Sequence, residues 1–361
     1  MTQCPVRSRT PRTIIHEAST MTEIPATMTA AVLSAFGGPE NLTAQTRPVP
    51  SPRRGEVLVQ VHAASVNPID YKVRRNGPAM APALPGVLGC DMAGVVVALG
   101  DGVTGFAVGD RVFGSPGGVK TVDGTNAEYV RADARVLARM PSGLGFREAA
   151  ALPLVSITAW EGLIDRARVE PGERVLIHGG AGGVGHVAIQ IAKAAGAHVT
   201  ATISSPEKAR IARELGADET VNYRDETVEA YVARLTAGRG FDVVMDATGG
   251  SDLATSFAGA RLNGRVVTIV SQYPADLTPM HGKGLSLHVV FMIIPILHDI
   301  GREHHGRIMN RVAALVEAGR LRPRLDPARF SLAQAGAAQA HLEEGGATGK
   351  VVIDVKANEA V

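Results

Sequence analysis

The feature that most constrains this chain is the run Val175-Leu-Ile-His-Gly-Gly-Ala-Gly-Gly-Val-Gly185, in which an apolar strand leads directly into a glycine-rich loop. Gly180, Gly182 and Gly185 have the G-x-G-x-x-G spacing. Val184, Val187, Ala188, Ile191, Ala192 and Ala195 then recur at helical intervals, and Gly196 stands where a left-handed cap would end the helix. A glycine pattern alone is weak; a strand before it and a helix after it make it specific. Glycines let the backbone turn sharply and approach a pyrophosphate. Unpaired N–H groups at the helix start, around Gly183 and Val184, then meet its negative charge. The loop is expected to bind a dinucleotide, with a tight structural strand-to-helix turn as the alternative.

The stretch after the next strand decides which dinucleotide. An NAD site places Asp or Glu about 20 residues beyond the loop, to bond the ribose 2′-hydroxyl. Here Thr200-Ala-Thr-Ile-Ser-Ser-Pro-Glu-Lys208 has no acid at the strand end. Ser205 suits an N-cap and Pro206 the first helical position. Ser204, Ser205 and Lys208 then bring hydroxyls and an ammonium to one point, where a carboxylate would repel a 2′-phosphate. NADPH is the expected cofactor, against an alternative in which the serines only cap the helix and the lysine is solvated.

At 361 residues and 45% apolar content, the chain is long enough for two cored domains. Strands expected at 56–63, 94–99 and 111–113, separated by Gly/Pro turns, predict a β-barrel-like first half. Strands at 175–178, 198–202, 242–246 and 265–270 alternate with helices, as in a parallel sheet. A helix over 307–319 and a strand over 350–355 follow. The expected divisions are 1–27, 28–155, 156–300 and 301–361. Residues 1–27 carry Arg7, Arg9 and Arg12 without an apolar run, and read as a disordered extension or as a start placed ahead of Met28; structure is expected from about Thr29.

Composition narrows the partners. The 37 basic and 35 acidic residues nearly cancel, which gives no electrostatic reason for nucleic acid or an anionic membrane. Aromatics at 4% argue against a base-stacking platform. Cys4 and Cys90 cannot build a disulfide framework or a four-thiolate zinc site, and they fit a reducing, cytoplasmic location. The longest apolar run, 289–297, is too short to cross a bilayer and contains Pro295; it reads as a buried strand or pocket wall.

Further motifs occur in order: Ala31-Val-Leu-Ser-Ala-Phe-Gly-Gly-Pro-Glu40, Ala64-Ser-Val-Asn-Pro-Ile-Asp70, Gly89-Cys-Asp-Met-Ala-Gly94 and Gly109-Asp-Arg-Val112. After the glycine loop come Leu215-Gly-Ala-Asp218, Val221-Asn-Tyr223 and Gly349-Lys350-Val351. From Met28 to Val355 the chain resembles the medium-chain dehydrogenase/reductase superfamily, specifically its zinc-free NADPH:quinone oxidoreductase-like branch. The resemblance implies an α/β fold: a Rossmann parallel-sheet domain plus a GroES-like β-barrel catalytic domain, to which the C-terminal segment returns. It implies an active site in the cleft between them, and a homodimer is the expected assembly. It also implies that Tyr223 lies with Lys208 near the 2′-phosphate, that Lys350 is a second cation at the cofactor, and that Thr158 lies near the nicotinamide. A half-buried ring at a strand end and a solvated lysine are the alternatives for Tyr223 and Lys350. Thr248 and Ser271 lie just beyond Rossmann strand ends, where ligands bind, or serve local turns.

Zinc alcohol dehydrogenases of the same superfamily need a Cys where this chain has Asn67 and a His where it has Cys90. The loop of four cysteines that holds their structural zinc has no counterpart, and His281, His288, His298, His304 and His305 lack ligand spacing, so no metal is expected. Without a Lewis acid, a conjugated acceptor is the easier substrate. Hydride added at its far carbon sends charge to an oxygen that needs only hydrogen-bond donors and a proton. The expected function is an NADPH-dependent reductase of quinones or other α,β-unsaturated carbonyl compounds. An enoyl-thioester reductase and a redox-inert NADPH-binding protein are the alternatives.

The catalytic candidates are Asn67, Tyr71 and Lys72. Asn67 donates to the substrate oxygen or holds the Asn-Pro turn. Tyr71 and Lys72 are proton donors, of which only one faces the pocket if the backbone there is extended. Asp70 is expected to orient neighbours or bond backbone N–H groups. Phe291, Met292 and Ile294 line an apolar pocket or belong to an interface or core.

Overall fold

The computed structural model describes residues 23–249, 252–272 and 274–356. The expected extension lies outside the described residues up to position 22. The first strand opens at Thr27, two residues before the expected start.

Eight strands form the N-terminal lobe: β1 (Thr27–Leu33), β2 (Leu42–Pro48), β3 (Glu56–Ser65), β4 (Gly86–Val87), β5 (Asp91–Leu99), β6 (Arg111–Gly114), β7 (Tyr129–Asp133) and β8 (Leu137–Arg139). They make a three-stranded sheet, β2-β1-β4, and a larger one in which β3 pairs with both β5 and β7. β3 alternates as expected at Val57, Val59 and Val61, which are fully buried, and at the half-buried Gln60 and His62, but Leu58 on the opposite face is buried as well. Between β3 and β4 lies helix α1 (Pro68–Asn76), whose Pro68 occupies the first turn, where a missing N–H costs nothing. Helix α2 (Phe146–Ala150) closes the lobe, and helix α3 (Pro153–Trp160) crosses to the second lobe, continuing as a π-helical segment, Glu161–Arg166.

The second lobe holds β9 (Arg174–His178), β10 (His198–Ile203), β11 (Glu219–Asn222), β12 (Phe241–Asp246), β13 (Ala260–Thr268) and β14 (Ser286–Val289). All pair in parallel in the order β11-β10-β9-β12-β13-β14. That is the doubly wound order, whose crossover between β9 and β12 opens a ligand crevice at the strands' C-terminal ends. Its helices are α4 (Gly185–Ala194), α5 (Pro206–Glu214), α6 (Val228–Thr236), α7 (Asp252–Gly259), α8 (Thr278–Lys283) and α9 (Ile294–His298). Two expectations shift here. β13 starts at Ala260, straight out of α7, and pairs with β12 across an irregular register. The 289–297 run is not one strand: β14 ends at Val289, and Pro295 stands in the first turn of α9, where it supports a helix.

Helices α10 (Glu303–Glu317) and α11 (Ala335–Glu343) and strands β15 (Phe330–Ser331) and β16 (Val352–Asp354) complete the chain. β16 pairs antiparallel with β3, so the C-terminus adds to the N-terminal lobe's sheet. Fully buried Arg74 on α1 ties α11 in place through Gln339 Oε1 at 2.9 Å and Glu343 Oε2 at 2.5 Å. One apolar core runs through all three parts, including Val61, Phe113, Ile157, Ile177 and Met309. Among the described residues, no helix is long and apolar enough to cross a membrane.

Candidate functional site

The chain leaves β9 at His178 and turns at Gly179, whose φ of +68° is left-handed and suits glycine. Close packing sets the rest of the loop. A Cβ on Gly185 would lie 2.1 Å from the Gly179 carbonyl oxygen, and one on Gly180 would lie 2.6 Å from the Ala201 Cβ. Only glycines let α4 sit this near β9 and β10. The Gly182 N–H closes on Gly179 O at 2.9 Å, whereas among the described residues neither Gly183 nor Val184 spends its N–H on the protein. These two groups stand at the start of α4, where the helix dipole favours an anion.

Beside the loop lies a cavity of about 540 Å³, lined by Gly182, Gly183, Val184 and Gly185, and further out by Ser204, Lys208, Tyr223 and Thr248. Ser205 caps α5, its Oγ accepting from the Lys208 N–H at 3.3 Å. Lys208 is exposed, and its Nζ meets Ser204 Oγ at 3.2 Å. Tyr223, just past β11, is 56% exposed, so it is not the half-buried ring of the bland reading. Thr248 lines the cavity while its hydroxyl donates to Asp246 Oδ1 at 2.8 Å. Ser271 is exposed and lies outside the lining. A glycine cradle with open N–H groups and a cation at its far end suits a dinucleotide.

The second cluster sits where the lobes meet. Asp91, fully buried at the start of β5, accepts at Oδ2 from Ser65 Oγ and Asn67 Nδ2, both at 2.9 Å. Its Oδ1 accepts from the Leu154 N–H at 2.9 Å, in the first turn of the crossing helix α3. Lys350 enters from the C-terminal segment. Its Nζ donates to Asn67 Oδ1 at 2.6 Å and to Val66 O at 3.0 Å, and lies 3.7 Å from Asp91 Oδ2. Lys350 is only 3% exposed, so it is no solvated lysine. Its ammonium bonds within the lobe junction, while its stem passes beside the glycine loop, with Cδ 3.8 Å from where a Cβ on Gly183 would stand.

Asn67 caps α1 but does not hold the Asn-Pro turn with its side chain; Asp70 does that work, accepting from the Asn67 N–H at 2.7 Å. Both ends of the Asn67 amide are bonded, Oδ1 by Lys350 and Nδ2 to Asp91, and the residue is fully buried. Burial, with the Asp91 charge adding, pushes the Asp70 carboxyl up to about 7. Cys90 donates to Asp70 Oδ1 at 3.7 Å, and burial and the two carboxylates raise its thiol well above its ordinary range.

Tyr71 and Lys72 lie on a helix, not on an extended segment, so the either-or expectation for them falls. Tyr71 is half-buried, its hydroxyl pKa raised by burial and by Glu343, while Lys72 is exposed. Thr158 is buried and donates to Leu154 O at 2.7 Å, within its own helix. Met292 is buried, and Phe291 and Ile294 are 39% and 37% exposed.

Three residues escaped the sequence reading. Asp91 had a visible signal, an acid heading an otherwise apolar strand. His186, buried in the first turn of α4, bonds Gly182 O through Nδ1 at 3.1 Å and is pushed down to about 4 by burial, so it is neutral. Glu226 lines the cofactor cavity although no acid stands at the end of β10. It comes from beyond β11, too far along the chain for the spacing rule to find.

Comparisons with known proteins agree with this architecture. Residues 53–142 match the alcohol dehydrogenase GroES-like domain, and residues 183–293 match the zinc-binding dehydrogenase family. A quinone oxidoreductase of Sus scrofa is 35% identical over 332 residues, covering 90% of this chain and 97% of that one. A 2-methylene-furan-3-one reductase of Solanum lycopersicum is 35% identical, covering 93% and 81%. The crystal structure of an alcohol dehydrogenase superfamily protein from Novosphingobium aromaticivorans superposes with a TM-score of 0.87 at 43% identity, covering 91% of this chain and all of that one. With both lobes, the glycine cradle and full-length relatives in agreement, the chain is an oxidoreductase of the medium-chain dehydrogenase/reductase superfamily, a pyridine-nucleotide-dependent family, and stands among its quinone oxidoreductases.

Proposed function

We propose that the protein is an NADPH-dependent reductase that passes a hydride to quinones or other α,β-unsaturated carbonyl compounds without zinc. The observation that carries this reading is the Lys350 ammonium, 2.6 Å from Asn67 Oδ1, beside the residues that stand in for zinc ligands. An amide, a buried protonated thiol and a resident ammonium are a poor donor set for Zn²⁺, which takes thiolate, neutral imidazole or carboxylate. Among the described residues, no group of three or more His, Cys, Asp or Glu could hold a metal ion. The names of the pig and tomato relatives, a quinone oxidoreductase and a 2-methylene-furan-3-one reductase, support the substrate class.

NADPH, when bound, supplies the hydride. The chain's part is to hold and orient. Gly183 and Val184 offer N–H groups to the pyrophosphate; Gly180, Gly182 and Gly185 permit the approach. Ser204, Ser205, Lys208 and Tyr223 meet the 2′-phosphate. Thr158, Thr248 and Ser271 stay as weaker candidates toward the nicotinamide half. Of the catalytic candidates, Tyr71 and Lys72 present surface, and either they or solvent deliver the proton that the acceptor's oxygen takes up; Asn67 acts from within its cluster. We assign a homodimer, working in the cytoplasm. The outer edge of β14, whose strand partner is β13, lies beside exposed Val289, Phe291 and Ile294 and suits a second copy.

The test follows absorbance of NADPH and NADH with a quinone, an enone, an enoyl thioester and an aldehyde, with and without chelator. Chelator-resistant turnover of quinone or enone with NADPH is expected. Turnover of the aldehyde alone, abolished by chelator, overturns the proposal; thioester-only turnover favours the enoyl-thioester reading, and binding without turnover favours the inert one.

A further inference from the structure

The cofactor cavity contains an apparent contradiction. Its wall carries one lysine, Lys208, but also two glutamates, Glu226 and Glu229, and a carboxylate near a 2′-phosphate opposes the binding that Lys208 favours. Glu226 is the sharper case, because it follows the Asn222–Tyr223 turn and Tyr223 shares the wall with Lys208. A free acid here would do what the missing acid after β10 does elsewhere, accepting from a ribose 2′-hydroxyl and repelling a phosphate.

Glu226 is not free. Arg234, two turns along α6, grips it with a two-pronged contact, Nε to Oε1 at 3.0 Å and a terminal nitrogen to Oε2 at 2.7 Å. The planar guanidinium matches both carboxylate oxygens at once and cannot lose its charge, so each oxygen of Glu226 has one acceptor site engaged and its negative charge is offset. The neighbouring Asp225 is likewise engaged, by Asn222 Nδ2. Glu229 lies exposed on the first turn of α6.

We propose that Arg234 sets the coenzyme preference by holding Glu226 out of action, so that removing Arg234 converts the cavity wall from one that accepts a 2′-phosphate to one that accepts a 2′-hydroxyl. This rests on the NADPH reading above. Arg234 is not among the residues that line the cavity and is a positioning residue acting through Glu226.

The experiment measures Kd for NADPH and for NADH from reduced-nicotinamide fluorescence, so it needs no acceptor. Arg234→Gln should weaken NADPH about tenfold while NADH binds as well as before or more tightly. Adding Glu226→Gln to that variant should return NADPH to within about twofold of the parent, whereas adding Glu229→Gln should not. Equal weakening of both coenzymes, no rescue by E226Q, or rescue by E229Q instead each overturns the proposal. Thermal midpoints identify any variant that misfolds, and Arg234→Lys, which keeps the charge and loses the fork, should fall between parent and R234Q. If the parent itself binds NADH as tightly as NADPH, the cofactor reading fails separately, whatever R234Q does.

Discussion

Lys208 and Lys350 are the same residue put to opposite uses. Lys208 stands exposed at the start of a helix and leans on one serine hydroxyl at 3.2 Å, with the rest of its donor capacity facing the cavity. Lys350 is buried at the lobe junction and donates to two oxygens, with a carboxylate within 4 Å. Water pays for the first charge and protein dipoles for the second. An exposed cation is available to a ligand and worth little to the fold; a buried one is unavailable, and its loss or orphaning is felt throughout. The difference teaches that a basic residue near a cofactor loop is not thereby a cofactor ligand: satisfaction of its donors decides.

The largest effect that would break this contrast lies at Asp91. Asp91→Ala strips an acceptor from Ser65, Asn67 and the Leu154 N–H and takes from the buried Lys350 the carboxylate that lies 3.7 Å from its Nζ. A loss of about 3–5 kcal/mol is expected, read as a lower urea midpoint at unchanged slope. Coupling Asp91→Ala to Lys350→Met should recover part of it, because the orphaned charge is gone. Parent-like stability of the single variant would mean that the cluster is not a strut.

Lys208→Ala should leave stability alone and raise KM for NADPH roughly 10- to 100-fold, the range of a charge-assisted hydrogen bond, with KM for NADH nearly unchanged. Equal effects on both coenzymes would show that this ammonium does not meet the 2′-phosphate.

The smallest effect is in pH, and it sharpens the contrast because the junction titrates near neutrality. Asp70, ordinarily at 3.8, is raised to about 7, so the fold holds a proton that the unfolded chain releases. Its contribution is complete below about 4 and is lost as pH rises through 7. His186, ordinarily at 6.5, is lowered to about 4, so its contribution is complete above 6.5 and is lost as pH falls toward 4. The two slopes oppose each other between pH 4 and 7. Asp70→Asn should therefore gain stability over the parent as pH rises toward 8, and His186→Gln should gain as pH falls toward 4. Thermal midpoints across that range check both; parallel curves for all three proteins would remove either group from the account.

Local patterns were readable where neighbours in sequence set the structure. The glycine loop, the cap at Ser205 and the alternation along β3 all depend on residues within one turn or one strand. The helix at Pro68 was readable too, since Asn-Pro-x-Asp is an N-cap, a first-turn proline and an acid three residues on; leaving the backbone at Tyr71 and Lys72 open passed over that signal. The helix at Pro295 belongs to the same class, because a proline suits the first turn of a helix and not the middle of a strand.

Sequence alone thus determined the parallel α/β sheet and the glycine loop, because backbone conformation and apolar periodicity are written over short stretches, and its ordered motifs carried the resemblance to the family. Only the tertiary structure decided what the charges do. Lys350 meets Asn67 across 283 positions, and Glu226 reaches the cavity from beyond β11. A charge's role is set by the solvent it loses and the partners it finds, and both are known only once the chain has closed on itself.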